Sequence, residues 1–233
     1  MRMRLGTGLL LCGLSSAEPI RAQGADANLM REVSAVRAEV SRSAVALRQY
    51  TWTEHTEVLV KGDVKSSSTV ICRYDGSGAL TKTPVGADND REKSKAVSRR
   101  PMVRKQADMQ DYIERAISRI HTYVPPKPQQ IDHLLQNGSA SMGPSSTGKS
   151  EVRFTHYFED GDSLVFTYDS VSKGLLRVSI ASTLGSPKDP VTMEATFETL
   201  PDGVNHVASA TLNAKKRNVQ VKMRNVMYQK VAN

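Results

Sequence analysis

The sequence predicts an α+β fold: a curved antiparallel β-sheet, a half-barrel-like meander, covered on its apolar face by helices. Three observations lead there. From residue 151 to the C-terminus, apolar and polar residues alternate in short runs separated by turn residues, the pattern of successive hairpins with one buried face. Two earlier stretches space their apolar residues at helical intervals. A sheet that is apolar on one side needs a cover, and those helices supply it.

The chain has 233 residues, 39% of them hydrophobic and 5% aromatic, enough for one packed domain. It opens with Met1-Arg2-Met3-Arg4, then LGTGLLLCGL, then SSAEPIRAQGADA. A basic start, an apolar run of about ten residues and small residues beyond it read as a secretory signal peptide over 1–24. Cleavage falls after Ala17 or after Gly24, and residues 25–233 form a single domain. The expected location is periplasmic or secreted, with an uncleaved N-terminal anchor as the alternative. LLLC also spells a loose acylation site at Cys12, but Leu11 stands where a small residue belongs. Removal of the signal leaves 30 basic and 24 acidic residues, or 29 and 23, a net +6 in both cases. Outside the cytoplasm, the counterparts of such a chain are anionic envelope lipids rather than nucleic acid.

The elements follow in order. Residues 26–48 place Leu29, Met30, Val33, Val36, Val40 and Leu47 on one helical face, with Asp26 able to cap the start. YTWTEHTEVLV (50–60) alternates, with Trp52, Val58 and Val60 on one side. KGD turns it into VKSSSTVICRYD (64–75), and DGSG (75–78) turns again. Cys72, alone in the mature chain, reads as a small buried hydrophobe rather than a reactive thiol. Residues 84–105 show no apolar period and read as a basic loop. Seven cations between Arg91 and Lys105 face one acid, Glu92. Arg99, Arg100, Arg104 and Lys105 are its candidate contacts to an anionic headgroup.

Helical spacing returns over 108–124 with Met109, Ile113, Ala116, Ile117, Ile120 and Val124, and stops at Pro125-Pro126. Pro128 opens a short helix that ends at Asn137-Gly138. A Gly/Ser-rich loop over 137–150 follows. In the β region the inward sets are Val152, Phe154, His156 and Phe158; Leu164, Phe166 and Tyr168; Leu176, Val178 and Ile180; and Val191, Met193, Ala195 and Phe197. In the last strand the apolar parity shifts between Met223 and Val226, which implies a bulge near Arg224-Asn225.

GPSSTGKS (143–150) matches the phosphate-loop pattern at Gly143, Gly148, Lys149 and Ser150. Its setting argues against that chemistry. A phosphate loop joins a parallel strand to a helix, whereas Ser150 here leads into residues of period 2. The five histidines form no ligand set, Glu54 and Glu57 beside His55 fix no acid–base pair, and no nucleophile signature appears. No catalytic residue, cofactor or metal is expected, and the chain reads as a non-enzymatic protein.

The signal peptide, first helix, opening hairpins, mid-chain helices and terminal meander together resemble the bacterial periplasmic lipoprotein-carrier (LolA/LolB-like) type. The run VTMEATFETLPDGVNHVASATLNAKKRNVQVKMRNVMYQKV (191–231) is most similar to its closing strands, and ALRQYTWTEHTEV (46–58) resembles uncharacterised exported bacterial proteins of the same layout. The resemblance implies a half-open barrel with helices in its concave side and, as partners, lipid or lipoprotein acyl chains. The inward residues that would hold such a group are Trp52, Phe154, Phe158, Leu164, Phe166, Val178, Ile180, Met193 and Phe197. Two other readings stay open. One is a cell-envelope interaction module whose core is filled, and the other is nucleotide binding at 143–150.

Overall fold

A computed structural model describes residues 19–86, 100–143 and 146–231, without the side chains of 19–26 and 100–105. The signal-peptide reading falls almost wholly outside them. Helix α1 (Pro19–Ala46) and a 3-10 turn (Leu47–Gln49) lead into strands β1 (Tyr50–Val60), β2 (Asp63–Tyr74) and β3 (Leu80–Pro84). Helices α2 (Arg100–His121) and α3 (Pro128–Gln136) come next. Strands β4 (Ala140–Met142), β5 (Lys149–Thr155), β6 (Ser163–Asp169), β7 (Leu175–Thr183), β8 (Pro190–Thr199), β9 (Asn205–Ala214) and β10 (Val219–Lys230) complete the chain.

All ten strands join one antiparallel sheet in the order β3-β2-β1-β10-β9-β8-β7-β6-β5-β4. Every neighbour but one is a hairpin partner in sequence; the exception, β1 against β10, ties the ends of the domain together. The fold is therefore the α+β meander expected, with its helices on the concave face.

Several expectations are corrected in detail. α1 begins at Pro19, so Asp26 lies inside it rather than capping it, and Met30 faces solvent. The loop expected over 84–105 is narrowed at both ends, since Pro84 ends β3 and α2 starts at Arg100 with Pro101 in its first turn, while residues 87–99 lie outside the described residues. Residues 100–107 have no helical apolar period in the sequence, and Pro101 is tolerated because it falls in the first turn. β3 itself is new; only Leu80 and Pro84 are apolar in it.

The Gly/Ser-rich stretch is a hairpin. Ala140, Ser141 and Met142 pair with Phe154, Arg153 and Val152, and Lys149 opens β5. The Gly143 N–H donates to the Glu151 carbonyl at 2.9 Å, and Ser146 and Lys149 bond each other's backbones. These amides belong to the ladder instead of an open phosphate cradle.

Parity fails in two places for one reason, an irregular residue that flips everything after it. β5 ends at Thr155 because His156 is left-handed (φ 54°). Tyr157 is consequently fully buried and Phe158, expected inward, is 39% exposed. A register shift after Thr167 likewise makes Leu175, not Leu176, the inward partner of Tyr168. The bulge in β10 exists, but a few residues later than expected: the β1–β10 register slips between Val226 and Gln229, where Met227 has φ 54°.

The helices are pinned along opposite rims of the sheet. α1 holds the β6–β7 and β8–β9 turns through Glu32, which accepts from Lys173 (2.8 Å) and Tyr168 (3.0 Å), and through Arg42 to the Gly203 carbonyl (2.9 Å). α2 holds the other rim. Tyr112 donates to Asp189 at 2.7 Å, and Arg119 and Tyr123 bind Asp162 in the β5–β6 turn. Cys72 is fully buried between β1 and β3, and burial pushes its thiol pKa up, so it packs as the small hydrophobe the sequence suggests.

Burial, assisted by these carboxylates, drives the Tyr112 and Tyr168 hydroxyls up to about 12, against about 10 in an unfolded chain. The raised folded value favours the protonated ring, so its stability is intact below pH 10 and is lost as pH climbs toward 12. Denaturant midpoints should hold steady from pH 8 to about 10 and fall above it. A midpoint unchanged at pH 11.5 would show that these hydroxyls are not enclosed.

Candidate functional site: an apolar cavity on the concave face

Sheet register builds the floor of the site. Val152, Phe166, Val178, Ala195, Ala210, Met223 and Thr56 are successive partners across seven strands, β5-β6-β7-β8-β9-β10-β1. Side-chain size falls to alanine at β8 and β9, in the middle of the sheet. α1 spans this dip from above with Val33, Val36 and Val40, and the segment from His121 to Ile131 closes the side. The result is a cavity of about 870 Å³, at the upper end of the ~300–1,000 Å³ that hold small-molecule ligands.

The next row of the sheet behaves differently. Phe154, Leu164, Ile180, Met193, Leu212 and Val221 are again register partners. Leu164 and Ile180, however, are sealed in the core with Ile120, Tyr123 and Leu134. The concave face is thus part filled core, part cavity.

Of the inward residues the sequence singles out, Phe154, Phe166, Val178, Met193 and Phe197 line the cavity together. Leu164 and Ile180 share their face but lie in the packed part. Phe158 stands outside, edge-on to Tyr123 and Tyr157. Trp52 is buried in a separate aromatic cluster, stacked on Tyr228 at 5.5 Å and beside Tyr74. Arg99 lies outside the described residues; Arg100, Arg104 and Lys105 stand at the start of α2, where side chains are not described.

Sequence reasoning placed Ala195 inward and Val33, Val36 and Val40 on the covering helix, but missed Ala210, the small-residue dip they make together, and the polar wall. That wall is Arg37, Ser41, Glu54, Thr56 and His121. Glu54 is two residues from Trp52 on the same inward face, and a carboxylate there was a legible irregularity. Its side chain is 12% exposed, and both its oxygens accept from Lys82 Nζ, at 2.7 and 2.8 Å. Lys82 reaches it from β3, across the whole width of β2. Lys82 is not itself on the wall; the wall's own cation, Arg37, is paired with Asp132 of α3 at 2.9 Å, with both side chains exposed. Among the described residues no group of three or more His, Cys, Asp or Glu is arranged to hold a metal ion.

No family model and no curated protein matches the sequence. Three solved structures share its layout at 7% identity. A LolA-superfamily protein from Nitrosomonas europaea has a TM-score of 0.38 over 83% of this chain and 92% of that one. A putative outer membrane lipoprotein-sorting protein domain from Vibrio parahaemolyticus has 0.36 over 82% and 91%. A DUF1329-family protein from Desulfovibrio piger has 0.36 over 84% and 92%. With TM-scores this low, the function is argued below from the cavity alone.

Proposed function

We propose that this is an exported, non-enzymatic binding protein that holds a lipid, acyl chain or similar hydrophobic group in the concave cavity. The observation that carries the reading is an apolar volume of about 870 Å³ between the alanine floor and α1. Water held against so much Val, Phe, Met and Ala surface is unfavourable, and an apolar guest displaces it. The filled-core alternative has less support, because the buried core leaves this volume open beside it. The basic residues Arg99, Arg100, Arg104 and Lys105 would assist by drawing the protein to anionic envelope lipids. No helix among the described residues is long and apolar enough to cross a membrane.

A chain-length series of fatty acyl ligands tests this. Each buried methylene contributes about 0.8 kcal/mol, or about fourfold in affinity. Affinity should climb by about that factor per methylene and level off once the cavity is full. Absence of binding at every length, together with no co-purifying lipid by native mass spectrometry, refutes the proposal.

A further inference from the structure

We propose that the cavity takes its amphiphile tail first and recognises a zwitterionic head, an ammonium next to a phosphate, at the Glu54–Lys82 pair. This rests on the lipid-holding reading above and adds the class of headgroup.

The cavity is polarised along the sheet. Its β5–β6 end is lined by Val152, Phe154, Phe166 and, from α3, Ile131. Its β1 end carries Glu54 and Thr56, with the Thr56 Oγ1 3.5 Å from the carboxylate. Helices α1 and α2 lie over the middle of the sheet, α1 against β9 and α2 against β8 and β9, and the lining is buried at Val152, Phe154 and Val178 but only half-buried at Ala210, Met223 and Thr56. Among the described residues, the helices' side-chain bonds reach the β5–β6, β6–β7, β7–β8, β8–β9 and β9–β10 turns, and none reaches β1, β2 or β3. Water therefore meets the cavity at its β1 side, where an amphiphile leaves its head.

The charges there select among heads. Glu54 is the single acid on the cavity wall, and it is largely buried, while its partner Lys82 is 45% exposed and within reach of solvent. A bare carboxylate or phosphate would be drawn to Lys82 but repelled by Glu54 a few ångströms away. A bare cation would take Glu54 and leave Lys82 beside a like charge. A zwitterion answers both: its ammonium donates to Glu54 while its phosphate accepts from Lys82, so all four charges alternate in sign.

Vesicles of phosphatidylethanolamine or phosphatidylglycerol with identical acyl chains, and the matching fatty acid, test the inference. Captured lipid is counted by mass spectrometry. The ethanolamine lipid is expected to be captured about tenfold more than either competitor, from one charge-assisted hydrogen bond. Glu54→Gln, which keeps the shape, should bring that ratio close to one while total capture persists. Chainless phosphoethanolamine should compete poorly; effective competition would mean a free polar solute rather than a lipid head. Equal capture of all heads, or preference for the anionic lipid, overturns the headgroup assignment and leaves the cavity reading standing. Capture of no lipid at all overturns both. The wild-type ratio needs no variant, so a misfolded Glu54→Gln does not shelter the proposal. Trp52, the chain's single tryptophan, lies two residues from Glu54 and gives a second readout: its emission should shift with the ethanolamine lipid.

Discussion

Ala210→Trp is expected to keep the fold and to weaken acyl-ligand binding by about 100-fold. Ala210 is the lowest point of the cavity floor, register-paired with Ala195 on one side and Met223 on the other. An indole there points into open volume rather than into packed side chains, so the overpacking cost of about 1–3 kcal/mol that a tight core imposes should be largely avoided. It displaces three or four methylenes of a bound chain, each contributing about 0.8 kcal/mol. The same substitution one residue along, Thr211→Trp, projects from the polar convex face and should leave binding unchanged. If Ala210→Trp binds as the parent does, the ligand does not occupy this cavity.

Asp162→Ala should be strongly destabilising, by about 3 kcal/mol, lowering Tm by about 6–12 °C. The Asp162 side chain is 2% exposed and gathers the end of α2 onto the sheet. It accepts from the Tyr123 hydroxyl, from Arg119 Nη2 at 3.2 Å and from the Glu159 N–H at 3.2 Å. Arg119 also donates to Ser182 of β7 at 2.9 Å, and Tyr123 lies 2.9 Å from the same hydroxyl. Without the carboxylate, a guanidinium and a buried phenol lose their common acceptor, and the half-exposed Glu159 at 2.9 Å is the carboxylate left to Arg119. Tyr123→Phe, which removes one hydroxyl and leaves the ion pair, should cost only about 1 kcal/mol. Equal losses for the two variants would mean that ring packing, not the carboxylate, holds α2 in place.

The two variants touch parts of the chain that were unequally legible beforehand. β1 spans Tyr50–Val60, as its alternation implies, because every second residue meets the same environment for eleven positions. β8 is as clear, with Val191, Met193 and Ala195 buried in step. Where one residue leaves the regular backbone, the pattern misleads from there on: after left-handed His156, Tyr157 and Phe158 exchange places. Helix starts are poorly marked for another reason. Residues 100–107 show no helical apolar period in the sequence, so nothing local marks where α2 begins.

What the sequence determined by itself is the layout: a helix, opening hairpins, two further helices and a closing meander with one apolar face. Periodicity and turn chemistry are local, and each segment reports its own. Which inward residues meet a ligand-sized space was decided only by tertiary structure. Phe166 and Leu164 are equivalent in one strand, yet one lines the cavity and the other is sealed in the core. The difference depends on where α1 and α2 lie above the sheet, and on register bringing Ala195 beside Ala210 from separate strands. Register also places Lys82 opposite Trp52 across β2, from where its side chain reaches diagonally to Glu54. Contacts of that kind join residues distant in the chain, and no local pattern encodes them.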